Sequence, residues 1–370
     1  MVCAMKILEH IDLQPCNTFK ISCVARYFVV VESAEDVIEL SKTDIYKDNK
    51  KLFLGGGSNI LLTQETYDGL VIKNEIRWKK VIEETTASIT VKIWAGENRD
   101  TIVQRAVSQW YTGVENLVSI PGTVWAAPMQ NIWAYGVEIK DLVHNVMGID
   151  LPSQTEIILA SYECEFGYRE SIFKHSLKDK FFITHVTFVF GKYDPKTYFP
   201  IISYGAIQDK LAEIADGDDL AVTPELIASA VAQIRESKLP NRKDIGTAGS
   251  FFKNPCVTKE KYKQLQSIEP SITWYPEPAI PSPSDDEGGT VGRGLGWGCL
   301  IKLNAWQLID LAGLKGLQHG NVGTYHKHAL ILINQSNGTG AEIVQLASRI
   351  QKIVSETFGV EIVPEVNYID

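Results

Sequence analysis

Three consecutive glycines, Gly55, Gly56 and Gly57, followed by Ser58 and Asn59, restrict what this chain can fold into more than any other stretch. They stand between the β-rich run KLFL (51–54) and the apolar Ile60 to Leu62, with the strand-like LVIK (70–73) just beyond. A phosphate loop of the Rossmann or P-loop kind needs a helix directly after its glycines, and neither GxGxxG nor GxxxxGK[ST] occurs here. The segment therefore reads as a turn between strands. It is either a tight hairpin turn or a nest of bare backbone amides able to cradle a pyrophosphate.

The surrounding pattern alternates strands with helices. ARYFVVV (25–31) is rich in β-branched and aromatic residues and predicts a strand, and a helix follows over Ala34 to Ser41. Further strands are expected over Ala87 to Ile93, Thr155 to Ala160, Phe181 to Phe190 and Ala329 to Ile333, and in VEIVPEVNYI at the end. Helices are expected over Thr101 to Gln109, Pro224 to Ser237, where Pro240 ends the run, and Gly340 to Phe358. Residues 276–298 are rich in Pro, Ser, Asp and Gly and predict a surface loop. With 370 residues, two or three domains are expected.

Composition removes several classes of function. A formal net charge of −9 argues against a general nucleic-acid binder. No apolar run approaches the roughly 18 residues of a membrane span, and the first residues do not form a secretory signal, so a cytoplasmic protein is expected. The six cysteines contain no CxxC pair and no zinc spacing, which fits free thiols and no metal site. A local cationic pocket for a small phosphorylated or carboxylated ligand remains open, with Arg169, Lys238 and Lys253 as its candidates.

Three further segments carry chemistry. Ile120 to Glu138, IPGTVWAAPMQNIWAYGVE, packs Gly, Ala and Pro around the amides Gln130 and Asn131, a density that implies close backbone contact with a ligand or a crowded crossing. FGYRESIFK occupies Phe166 to Lys174. GTAGSFFKNP, Gly246 to Pro255, places the Ser250 hydroxyl, the Lys253 ammonium and the Asn254 carboxamide around a glycine turn anchored by Phe251 and Phe252. Taken alone, Ser250 serves equally well as a turn cap or as a proton donor.

NTF (17–19), GGGSN, the PGT…P-x-QNI-x-AYGVE run, FGYRESIFK and GTAGSFFKNP, closed by PEVNYI, stand in one order. In that order the chain resembles the UDP-N-acetylenolpyruvoylglucosamine reductases (MurB) of peptidoglycan synthesis, from about Asn17 to Ile369. AYGVE, FGYR and Tyr204-Gly205 resemble the branch with an extra tyrosine loop over the substrate. The resemblance implies an α/β (α+β) architecture: an FAD-binding fold of the vanillyl-alcohol-oxidase (PCMH) type in two subdomains, 15–80 and 81–222, and a C-terminal α+β substrate domain, 223–370. It implies reduction of UDP-N-acetylglucosamine enolpyruvate to UDP-N-acetylmuramate by NADPH through bound FAD, in a monomer with no membrane or nucleic-acid partner.

Residue by residue, the resemblance implies that Ser250 donates a proton, Arg169 pairs with the substrate carboxylate and Glu365 stabilises or protonates the enol-like intermediate. The residue types suit these roles, since arginine offers a planar fork to a carboxylate and a serine acid needs nearby positive charge. FAD is expected on Gly55, Gly56, Gly57, Ser58, Asn59, Pro121, Gly122, Ala126, Ala127, Gln130, Asn131, Tyr135 and Gly136. The nucleotide and sugar are expected on Tyr168, Tyr204, Lys238, Lys253 and Asn254. The acid set favours an enzyme, because drift after loss of function is not expected to spare Ser250, Arg169 and Glu365 together.

The chain departs from the family pattern at its tryptophans. Trp125 and Trp133 lie inside the flavin segment where the family has glycine, and Trp94 and Trp306 also replace family glycines; Trp78, Trp110, Trp274 and Trp297 occupy turn-like places. An indole at a position needing φ > 0 or close backbone approach is expected to obstruct the flavin. Two readings follow. Either UGA codons meaning glycine have been read as tryptophan, or the indoles are genuine and the chain is a flavin-free pseudoenzyme that binds a UDP-sugar or a cell-wall partner.

Overall fold

The computed structural model describes residues 5–216, 221–276 and 301–370. The chain divides into two compact units, Met1–Thr18, Ser22–Ser58 and Glu65–Lys238 forming the first, and Phe19–Ile21, Asn59–Gln64 and Leu239–Asp370 the second. The expected loop at 276–298 falls, apart from Pro276 itself, outside the described residues, as does Trp297.

In the first unit, strands β1 (Leu8–Asp12), β2 (Val24–Val31), β3 (Lys51–Leu54) and, past β4 (Ile60–Leu62) of the second unit, β5 (Thr66–Asn74) form a sheet in the order β1-β2-β5-β3. β5 runs parallel to both β2 and β3, so the chain needs a crossover between them. The helix Ala34–Ser41 supplies it. Its start is a capping box in which the Ser33 hydroxyl accepts from Asp36 N while the Asp36 carboxylate accepts from Ser33 N, and it buries Val37 and Leu40.

A second sheet of the same unit is antiparallel: β6 (Lys79–Glu84), β7 (Ser88–Trp94), β8 (Val143–Asp150), β9 (Thr155–Ala160) and β10 (Phe181–Lys192), in the order β9-β8-β10-β7-β6, with Tyr111–Thr112 added to β10. From Phe181 to Phe188 every side chain of β10 is buried, and its central place in the sheet explains the unbroken apolar run FFI at its start. At the edge, all of β6 is exposed, and only its ladder to β7 makes KKVIEE a strand.

The second unit contains the antiparallel meander Gln318–His319, Val322–Tyr325 and His328–Asn334, and a three-stranded sheet of Cys256–Val257, Ile301–Leu303 and Trp274–Pro276. Its long helix, Gly340–Phe358, has a Thr339/Glu342 capping box, ends at Gly359 with φ 59°, and buries Ile343, Leu346, Ala347, Ile350, Val354 and Phe358.

Two expectations need correction. The glycine turn is not a hairpin, because β3 pairs with β5, whereas β4 pairs in parallel with the last strand, Asn367–Ile369. The closing strand covers only those last residues. Its upstream part adds just a single bridge, Phe252 to Pro364, since proline has no amide hydrogen to sustain a ladder.

Candidate active site

A cradle in the first unit is built from backbone in positions where a side chain has no room. Gly57 adopts φ 59°, and a Cβ there would lie 2.0 Å from the Cys16 carbonyl oxygen. At Gly56 a Cβ would approach the Gly122 Cα to 2.9 Å, and at Gly55 it would lie 2.5 Å from Thr123 Oγ1 and 2.9 Å from Trp125 Cδ1. The glycine turn therefore lies directly against the segment that begins at Pro121. Thr123 Oγ1 is buried and has no hydrogen-bond partner among the described residues. The glycine amides, packed this tightly beside a buried hydroxyl that has no partner among the described residues, are the groups here able to hold a pyrophosphate, with the Trp125 ring standing against Gly55.

Pro121 is fixed by groups that sequence reasoning missed or assigned otherwise. Its carbonyl accepts from the Arg99 guanidinium and from Ser58 Oγ at 3.4 Å, while Arg99 N donates to Gly122 O at 3.1 Å. Arg99 is buried at the start of the helix Arg99–Ser108. Val124 N and Trp125 N donate to Glu97 O and Ala95 O, which brings the chain into the short helix Ala126–Met129 with Ala127 in the core. Gln130 caps that helix, and Tyr135 and Gly136 turn with φ 49° and 90°. Burial pushes the Tyr135 phenol up, opposed by the neighbouring Arg235. Asn59 lies in the second unit, where its Nδ2 donates to Glu365 O at 3.4 Å and its carbonyl accepts from Asn367.

Asn131 is 1% exposed and its amide is committed to protein. Nδ2 donates to Glu138 Oε2 at 2.5 Å and to Gly167 O at 2.9 Å, and Oδ1 accepts from Lys140 N at 3.2 Å. The Gly167 contact, together with Ser171 Oγ donating to Met129 O at 2.6 Å, docks the FGYRES turn on the 121–136 segment. Within that turn Gly167 and Glu170 form a bridge, Arg169 is left-handed at φ 56°, and Lys174 Nζ donates to Arg169 O at 2.7 Å. Tyr168 and Arg169 are half-buried.

Tyr204, also half-buried, precedes the helix Gly205–Ala215, with its ring edge-on to Tyr135 at 5.5 Å and to Trp133 at 6.1 Å. Lys238 is exposed at the end of the helix Pro224–Lys238. The first unit thus brings together the glycine cradle, the 121–136 segment, Tyr168, Arg169 and Tyr204.

The second unit gathers the remaining expected residues along one extended segment. Gly249, at φ 79°, turns the chain into Ser250, which bridges Ile331. Phe251 N donates to Leu330 O and Phe251 O accepts from Glu365 N at 2.8 Å, so Ser250 and Glu365 are held as neighbours by backbone pairing. Phe251 and Phe252 are buried anchors, whereas Ser250 is exposed and Glu365 half-buried. Lys253 N donates to Val363 O, and Asn254 Oδ1 accepts from Ala305 N at 3.0 Å.

The tryptophans do not share one environment. Trp125 is 7% exposed, packs on Phe182 at 5.3 Å and Phe53 at 6.2 Å, and has right-handed backbone, φ −46°, so the expected need for positive φ there is not met. Trp133 and Trp94 are strand residues, as is Trp274, which corrects its turn assignment; Trp306 lies in the helix Ala305–Leu311. Trp110 does occupy a left-handed position, φ 61°, and Trp78 is 65% exposed.

Known proteins resemble the chain along its whole length. The profile described as FAD binding domain matches residues 25–155, and the profile described as UDP-N-acetylenolpyruvoylglucosamine reductase, C-terminal domain, matches residues 240–369. A UDP-N-acetylenolpyruvoylglucosamine reductase of Flavobacterium johnsoniae is 38% identical, covering 99% of this chain and 100% of its own. That of Chromobacterium violaceum is 39% identical over 98% of each chain. The crystal structure of the reductase from Thermus caldophilus superposes with a TM-score of 0.63 at 19% identity, covering 99% of each chain, a likeness of fold.

Proposed function

The chain belongs to the UDP-N-acetylenolpyruvoylglucosamine reductase (MurB) family, and on that premise we propose that it reduces UDP-N-acetylglucosamine enolpyruvate to UDP-N-acetylmuramate with NADPH, for peptidoglycan synthesis. The observation that carries this reading is the close-packed backbone of Gly55, Gly56, Gly57 and Gly122 beside a Thr123 hydroxyl that has no partner among the described residues. FAD fits there on Ser58, Pro121, Ala126, Ala127, Gln130, Tyr135 and Gly136 as well. When bound, it supplies hydride transfer from NADPH to the enolpyruvyl double bond. We assign FAD to residues 15–80 and 81–222 and the substrate domain to 223–370.

The chain's own groups then manage charge and one proton. Hydride addition at the carbon remote from the carboxylate leaves negative charge delocalised into that carboxylate, and the Arg169 guanidinium is a planar fork able to neutralise it. The Ser250 hydroxyl donates the proton to the adjacent carbon, and Glu365 stabilises the charged intermediate or returns the proton to the serine. Tyr168, Tyr204, Lys238, Lys253 and Asn254 hold the nucleotide and sugar, with Tyr204 on the loop of the tyrosine-loop branch. The protein works as a cytoplasmic monomer.

The test uses the protein as it stands and a variant with glycine at the tryptophan positions. Flavin absorbance near about 450 nm and anaerobic NADPH oxidation dependent on UDP-N-acetylglucosamine enolpyruvate are expected. If neither protein holds flavin or oxidises NADPH, the reading fails. Activity confined to the glycine variant assigns those positions to glycine.

A further inference from the structure

Two buried polar side chains of the first unit lie outside every role given above. Glu115 and Asn116, in the turn Glu115–Leu117, are 3% and 1% exposed. Glu115 Oε2 accepts from Gly113 N at 2.6 Å, and Oε1 accepts from the Tyr198 hydroxyl at 2.6 Å. Asn116 Nδ2 donates to two carbonyls, Tyr135 O at 2.8 Å and Ile201 O at 2.9 Å. One carboxamide therefore links the turn of the flavin segment to the stretch that leads into Tyr204. Around it, Ile201 Cγ2 closes over Gly136, and the Tyr193 and Tyr198 rings meet edge to face at 5.2 Å.

We propose that Glu115 and Asn116 are positioning residues that hold the 194–204 loop against the Tyr135 turn and so set the place of Tyr204 for the substrate. The proposal rests on the reading that Tyr204 touches the UDP-sugar. Its physical basis is that residues 194–203 contain no helix or strand: Asp194 closes a turn over Lys196, Thr197 and Tyr198, and the bonds of Tyr198 and Ile201 to Glu115 and Asn116 tie the loop to the rest of the unit. A hydrogen bond to a buried carboxylate is of the strong kind, worth on the order of a tenfold population change or more. Burial, then the charge of Glu115, push the Tyr198 phenol upward, which keeps it a donor to Glu115 through the neutral range.

Tyr198→Phe removes the loop's hydrogen bond to Glu115 while keeping the ring on Tyr193. Calorimetric titration of the flavin-loaded protein with UDP-N-acetylglucosamine enolpyruvate is expected to give a Kd raised about tenfold. Trypsin cleavage after the exposed Lys196 should quicken by a similar factor, because cleavage follows the open population of the loop. Asn116→Asp, which keeps size but loses both donors, is expected to do the same and to loosen the Tyr135 turn. Tyr204→Ala is the control: it should raise Kd without speeding cleavage at Lys196. If Tyr204→Ala weakens binding but Tyr198→Phe leaves both Kd and cleavage within about twofold, the proposal is overturned. If Tyr204→Ala leaves Kd unchanged, the substrate role of Tyr204 itself is wrong, and the proposal falls with it.

Discussion

The two units build their expected functional residues in opposite ways. In the first, the residues expected to hold cofactor and substrate lie on backbone forced into unusual shapes: Gly57, Gly122 and Gly136 have positive φ, and so do Ser119, Asn131, Tyr135 and Arg169, which are not glycine. In the second, Ser250 and Glu365 lie on extended chain held by ordinary backbone pairing, with Gly249 the one left-handed residue beside them. Strained backbone of the first kind persists only where surrounding contacts over-determine it. The cofactor half should therefore lose shape when altered, and the acid half should lose chemistry while keeping its fold.

The sharpest way to break this contrast is Gly57→Ala. The added Cβ would meet the Cys16 carbonyl oxygen at 2.0 Å on a backbone with φ 59°, a combination that costs about 4 kcal/mol or more. A much lower unfolding midpoint and loss of flavin absorbance are expected; a variant that keeps both means the cradle is not rigid. Ser250→Ala is the counterpart. Because Ser250 is exposed at a backbone bridge, its unfolding midpoint should not move, while turnover falls by roughly 10²- to 10⁴-fold, the range for losing a general acid. A turnover within a factor of a few would remove Ser250 from the proton path.

This difference also governs what could be read from sequence. Ala34–Ser41 and Gly340–Phe358 were legible to the residue, because local capping and periodicity decide them. β6 and β8 were not, since KKVIEE is exposed throughout and VHNVMGID has a glycine and polar residues; each is a strand through its ladder. GGGSN was legible as a turn, yet its strands proved to belong to different sheets, which only long-range pairing can settle. Glu115, Asn116 and Arg99 left no motif, and Ser171 gave no sign of its role within FGYRESIFK, because Tyr198, Ile201, Pro121 and Met129, which they bind, stand 22 to 85 residues away. In GTAGSFFKNP, by contrast, the residue types alone marked Phe251 and Phe252 as buried anchors, and both are buried.

A smaller effect tests whether the first unit transmits shape to chemistry. Ser171 is fully buried and its hydroxyl donates to Met129 O at 2.6 Å, tying the arginine turn to the helix Ala126–Met129. Ser171→Ala leaves that carbonyl without its donor, a loss of about 1 to 2 kcal/mol. The expected outcome is an intact flavin spectrum with a several-fold higher KM for the UDP-sugar substrate, since Arg169 lies two residues away. A KM equal to the parent's would show that the Asn131 contact to Gly167 O holds the turn alone.

The smallest expected effect concerns pH and belongs to the first unit. His185, buried on β10, has its pKa lowered from the ordinary 6.5 to about 3, by burial first and then by the charge of Lys92. The groups facing it are the Thr184 hydroxyl at 3.2 Å, the Trp94 ring at 5.3 Å and Lys92, none able to stabilise an added proton by opposite charge. The unfolded chain binds that proton below pH 6.5 and the folded chain does not, so this contribution is fully present above 6.5 and shrinks as pH falls toward 3. Between pH 8 and pH 6 the loss from this one group is about 0.8 kcal/mol. His185→Gln, which cannot titrate, should narrow the gap between unfolding free energies at the two pH values by that amount. An unchanged gap would mean that His185 takes up its proton in the folded sheet, and that the first unit is softer at its centre than its packing implies.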